Sequence, residues 1–126
     1  MKKIIHILLI FFAVVFYSAC EYEFIKPLDP GIDPNEPQSF SADILPIFEA
    51  QDCITCHSST GTQFSLETGS AYQNILNMNL ADTDNPEQSI LYTVPDPTNP
   101  DQHPTTYTTE QAARVLIWIE QGALNN

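Results

Sequence analysis

Fixed cations are almost missing from this chain: four Lys and Arg stand against 16 Asp and Glu, a formal charge of -12 at pH 7. Phosphate binding needs a basic surface, so nucleic acid is excluded as a partner. The acidic balance suits solubility and a basic protein partner equally well. There is no internal repeat, glycine-rich phosphate loop or nucleophilic-serine motif. Cysteine is scarce too. Two of the three cysteines lie in Cys53-Ile54-Thr55-Cys56, and there is no second such pair. A structural zinc site wants four ligands. A thioredoxin-like redox site expects a strand-helix-strand setting, which does not surround this pair. A plain disulfide remains open in an oxidising compartment.

Only one long apolar run occurs. Ile4 to Phe16 is interrupted by His6 alone, follows Lys2 and Lys3, and ends in Tyr17-Ser18-Ala19 before Cys20. It is too short to span a bilayer comfortably as a permanent helix. Residues 1–19 therefore read as an export signal, with an uncleaved membrane anchor as the alternative. Ser18-Ala19-Cys20 resembles the lipobox of bacterial lipoproteins, although Tyr17 stands where that family has an aliphatic residue. The resemblance implies that Cys20 is acylated and becomes the first mature residue. That would account for the odd exported cysteine, and more than one acyl chain anchors stably. Losing Lys2 and Lys3 takes the formal charge from -12 to -14. Lys26 and Arg114 are then the only fixed cations.

Residues 20–38 carry Pro27, Pro30, Pro34 and Pro37 among acidic residues and Gly31, which reads as a linker. The folded domain is expected over 39–126, with four helices. The first runs from Ser41 or Asp43 to Gln51, with Ile44, Leu45, Ile47 and Phe48 at helical spacing. Asp43 would cap it and leave Pro46 in the first turn. The second covers Ser70 to Asn77. The third opens on Asn85-Pro86-Glu87-Gln88, an N-cap, a first-turn proline and a capping-box glutamine, with Ile90, Leu91 and Val94 on its apolar side. The fourth opens on Thr108-Thr109-Glu110-Gln111 and carries Ala112, Val115 and Ile119 to a Gly122 stop, flanked by Leu116 and Trp118. A short extended piece is expected at Phe64 and Leu66.

The chemistry lies in Cys53-Ile54-Thr55-Cys56-His57. Two thiols at this spacing can each bond a haem vinyl group, and the next residue is an imidazole that can ligate the iron. The pattern reads as attachment of one haem c. So small a helical core also benefits from a cofactor staple. Phe48, Leu66, Tyr92 and Trp118 are candidate packing partners for the haem.

Phe40-Ser41-Ala42-Asp43-Ile44-Leu45-Pro46-Ile47-Phe48, followed by the haem motif, resembles the opening of cytochrome c domains in exported bacterial lipoproteins. Ser89-Ile90-Leu91-Tyr92 and Leu116-Ile117-Trp118-Ile119-Glu120-Gln121-Gly122-Ala123-Leu124-Asn125 are similar to their middle and closing segments. The resemblance implies an all-α, small cytochrome c-like fold in which the first and last helices cross beside the haem. That family carries a Met-Pro distal ligand shortly before its last helix, and here the place holds His103-Pro104. The distal ligand is then His103, with Met78 or an open iron as alternatives. His57 is the proximal ligand.

The function so implied is one-electron transfer by a lipid-anchored carrier at the cell envelope, periplasmic or on the outer membrane, exchanging with redox proteins. The chain is then not an enzyme. The rivals are a haem enzyme or sensor with an open distal site, and an accessory haem-binding subunit of a larger complex.

Overall fold

The computed structural model describes residues 31–61, 63–98 and 102–126. The expected signal over 1–19 and the expected acylation at Cys20 fall outside the described residues. Within them the regular structure is all helical, without a strand. No helix among them is long and apolar enough to cross a membrane.

The first helix begins earlier than expected. Ser39, not Asp43, is the N-cap, and its side chain accepts from Ala42 N–H. Asp43 returns the contact, its carboxylate accepting from Ser39 N–H at 2.7 Å. A π-helical turn, Phe40–Ile44, follows Ser39 and contains Asp43. Leu45 N–H then reaches Phe40 O, one residue further than an α-helix allows. Helix α1, Leu45–Ala50, follows with Pro46 in its first turn, where a missing N–H is harmless.

Helix α2, Ala71–Asn77, is close to expectation. The third expected helix is broken. Pro86–Gln88 form a 3-10 turn, Ser89 is extended (φ -57°, ψ 131°), and a single turn, α3, covers Ile90–Thr93. No capping box closes at Asn85; its amide turns back to the Asp82 carboxylate. The break comes from outside the segment: the buried Ser89 hydroxyl accepts from Asp82 N–H at 2.8 Å. Helix α4, Thr109–Glu120, has the expected capping box between Thr108 and Gln111, and Gly122 takes the left-handed stop (φ 97°). Residues 64–66, where a short extended piece was expected, belong to no regular element.

Phe40, Ile44, Phe48, Ile75, Val115, Trp118 and Ile119 anchor one core shared by the first helical segment, α2 and α4. Phe40 packs against Trp118 at 5.4 Å and edge-on against Tyr72 at 5.2 Å between ring centroids. Trp118 is fully buried, and its indole N–H donates to Leu124 O. Deleting such a side chain costs about 3–5 kcal/mol, a large share of a small domain's stability. The chain's C-terminal residue closes on the first turn, with Ser41 N–H donating to Asn126 O and Phe40 N–H to the Asn126 amide oxygen.

The end of the expected linker is part of this body. Ile32 and Gln38 are buried. The Gln121 amide donates to Pro34 O and Glu36 O and accepts from Gln38 N–H.

Candidate functional site

Helix α1 ends at Gln51, and Asp52 takes the left-handed conformation (φ 55°). Aspartate tolerates that region better than most residues. The turn is fastened by the Asp52 carboxylate, which accepts from the Thr55 hydroxyl at 2.7 Å. It feeds a 3-10 turn, Cys53–Thr55, so that Cys56 N–H and His57 N–H both return to Cys53 O. The three side chains of the motif thus share one tight turn, and all three line one cavity.

Cys53 is buried and Cys56 exposed, and both are free thiols. Burial is the main cause pushing the Cys53 thiol up, and Asp52 and Cys56 push the same way. Cys53 is therefore held as the neutral thiol. Among the described residues no group of three or more His, Cys, Asp or Glu converges as a metal-holding set, so no closed zinc shell is built here.

The cavity measures about 480 Å³, within the range of cofactor pockets. Phe48 and Leu66 line it as expected, together with Phe64, Leu80, Leu91, Val94, Pro95 and Tyr107. Its described lining contains no Asp, Glu, Lys or Arg. Tyr92 and Trp118, the other expected packing partners, do not line it. Trp118 instead packs against Phe40 and bonds to Leu124 O, and Tyr92 packs half-buried against the core. Ile90 lines the cavity yet is 52% exposed, so it stands at the rim.

His57 is held on several sides. Its ring packs on Phe64 at 4.5 Å between centroids, and Leu66 N–H donates to its carbonyl at 2.7 Å. Its Nδ1 lies 3.1 Å from Phe64 O. A carbonyl only accepts, so Nδ1 carries the proton and Nε2 keeps the lone pair. His103 repeats this arrangement. Its Nδ1 lies 2.6 Å from Thr105 O, which again places the proton on Nδ1. Thr105 N–H also points at that nitrogen from 3.4 Å. Both contacts cannot be hydrogen bonds in one tautomer, and the short one to the carbonyl decides.

The two rings meet across the cavity, 6.0 Å between centroids and 19° from parallel. At that separation and angle the two imidazoles form a stacked pair. An ordinary aromatic pair also spans such a distance. Both Nδ1 atoms are tied to carbonyls, which leaves an unprotonated nitrogen on each ring. Histidines that bind metals commonly donate their other ring N–H to a carbonyl in this way. Met78, the alternative ligand, caps the C-terminus of α2, is 51% exposed and does not line the cavity.

Tyr107 is one of the lining residues that sequence reasoning missed. It is buried, and its hydroxyl donates to Leu91 O at 3.1 Å. Burial pushes its phenol far up, so it stays a neutral donor. Its place just before the Thr108 cap is where a helix-opening apolar contact is common, a signal that could have marked it.

Comparisons with family models, with curated proteins and with solved structures return no match.

Proposed function

We propose that this chain is a lipid-anchored, mono-haem c-type cytochrome that carries single electrons at the bacterial cell envelope. In this reading Cys53 and Cys56 bind haem c covalently, His57 is the proximal iron ligand and His103 the distal one. One observation carries it: two imidazoles, each with Nδ1 held by a carbonyl, face each other 6.0 Å apart in a cavity that both motif cysteines line.

The donor set and the cavity fit the group. Apolar walls without charge suit a large apolar plate, and the thiols and first imidazole sit on one short turn. When bound, haem supplies a one-electron couple whose potential follows its axial ligands and burial. The chain's residues do the rest. Phe64 O orients His57, Thr105 O orients His103, and the apolar lining keeps water from the centre. With both axial positions taken by histidine there is no place for a substrate, which favours a carrier over an enzyme.

The finer fold reading is of the cytochrome c type, supported by the packing of Phe40 and Ile44 with Trp118 and Ile119 in one core. A redox protein with a basic face is the fitting partner for a chain of charge -12. Lipid at Cys20 would supply the membrane anchor.

Spectra and mass of the purified full-length protein test this together. One haem should stay on the chain after denaturation in acid and organic solvent, and ferric EPR should be low-spin with two histidines. Haem that washes out while both thiols remain free would sink the proposal.

A further inference from the structure

The carbonyl of Leu91 needs a donor that its own helix cannot supply. Helical geometry persists past α3 through Val94 (φ -75°, ψ -46°), whose N–H donates to Ile90 O at 3.1 Å. The next donor in that register belongs to residue 95. It is proline and has none. The Tyr107 hydroxyl takes its place, donating to Leu91 O from the far end of the connection. The Tyr107 backbone N–H donates to Pro95 O at 2.8 Å. One residue therefore closes the 95–107 segment at its neck twice. Leu91, Pro95 and Tyr107 all stand in the cavity wall. The far side of the neck is also fixed, since Leu91 N–H donates to Leu80 O at 2.9 Å.

His103 lies inside this closed segment. The hydrogen bond of its ring is local, from Nδ1 to Thr105 O. It sets the ring's orientation within the loop but not its distance from His57.

We infer that Tyr107 is a positioning residue: by tying the His103 loop to α3 through Leu91 O, it keeps His103 against the iron. This rests on the bis-histidine reading above.

The test uses the haem-loaded, full-length protein and carbon monoxide. In the reduced protein, carbon monoxide must wait for His103 to leave. Tyr107→Phe keeps the ring and the backbone bond and removes only the hydroxyl. It should speed carbon monoxide uptake about tenfold, the factor for one ordinary hydrogen bond, with the resting low-spin spectrum unchanged. Tyr72→Phe is the matched control. Its hydroxyl donates to Ala123 O, also at 3.1 Å, and Tyr72 does not line the cavity. That variant should take up carbon monoxide at the wild-type rate.

A third comparison separates positioning from mere loss of a buried bond. Pro95→Ala gives residue 95 an N–H that can reach Leu91 O. In that background the carbonyl stays paired, so Tyr107→Phe should still speed uptake relative to Pro95→Ala alone. The comparison also survives if Tyr107→Phe by itself fails to fold. The inference is overturned if Tyr107→Phe matches wild type, if Tyr72→Phe is accelerated equally, or if the double variant matches Pro95→Ala. Wild-type protein that takes carbon monoxide without delay overturns the bis-histidine reading itself, and this inference with it.

Discussion

His57 and His103 lie 46 residues apart in sequence, yet their rings stand 6.0 Å apart and 19° from parallel across one cavity. Each has its Nδ1 on a backbone carbonyl. On the proposed function, His103→Ala opens the iron: the ferric protein should turn high-spin and the reduced protein should bind carbon monoxide at once. His103→Met should raise the reduction potential, as methionine ligation does. Met78→Ala should leave the low-spin spectrum intact, because Met78 is outside the cavity. A methionine-to-iron charge-transfer band in the wild-type near-infrared spectrum, lost in Met78→Ala, would overturn the assignment.

Gly61 should be irreplaceable. A Cβ there would run into the backbone carbonyl of Cys56, which cannot swing aside as a side chain could. Gly61→Ala is expected to cost about 1–3 kcal/mol, the usual range for overpacking, and to lower the haem bound per chain. Denaturant midpoints and absorbance ratios measure both, and an unchanged midpoint would contradict the prediction.

The loop between His57 and α2 should weaken in acid. Glu67 accepts from Ser59 N–H at 3.0 Å and from the Ser65 hydroxyl at 3.2 Å. Hydrogen bonding, from Ser59 above all, holds its carboxyl below the usual value. A carboxyl depressed in the folded state binds its proton more readily when unfolded, so stability rises with pH through this window. The contribution is complete above the ordinary glutamate value of about 4.3. It is lost as pH falls through the lower folded value. Urea midpoints of wild type and Glu67→Gln should therefore differ at pH 7 and converge toward pH 3. A gap that ignores pH would show that the charge is not involved.

Membrane attachment is expected to depend on Cys20. Cys20→Ser should release a soluble, still haem-loaded domain into the aqueous fraction after cell disruption. Unchanged association with membranes would point to an uncleaved apolar segment at residues 4–16 instead.

Contiguous features were legible in the sequence. The turn bearing Cys53, Cys56 and His57 is one short piece of chain, so its grouping of two thiols and an imidazole is readable from spacing alone. The Thr108–Gln111 capping box and the Gly122 stop were equally readable, because each is satisfied within a few residues. His103 could be singled out by its place before the last helix, but its distance from His57 could not.

Tertiary structure decided whatever depends on partners distant in sequence. The third helix breaks at Ser89 because Asp82 claims its hydroxyl, which no helical pattern within 85–94 encodes. Trp118 looked like a cavity residue by type, but its contacts are with Phe40 and the Leu124 carbonyl, away from the cavity. Tyr107 became part of the site only because Pro95 leaves the Leu91 carbonyl without a backbone donor and the fold brings a phenol to it. Local hydrogen-bond patterns and side-chain periodicity are properties of the sequence. Which buried polar group finds which partner is settled only when the chain closes, since an unpaired one costs more than a helix turn can return.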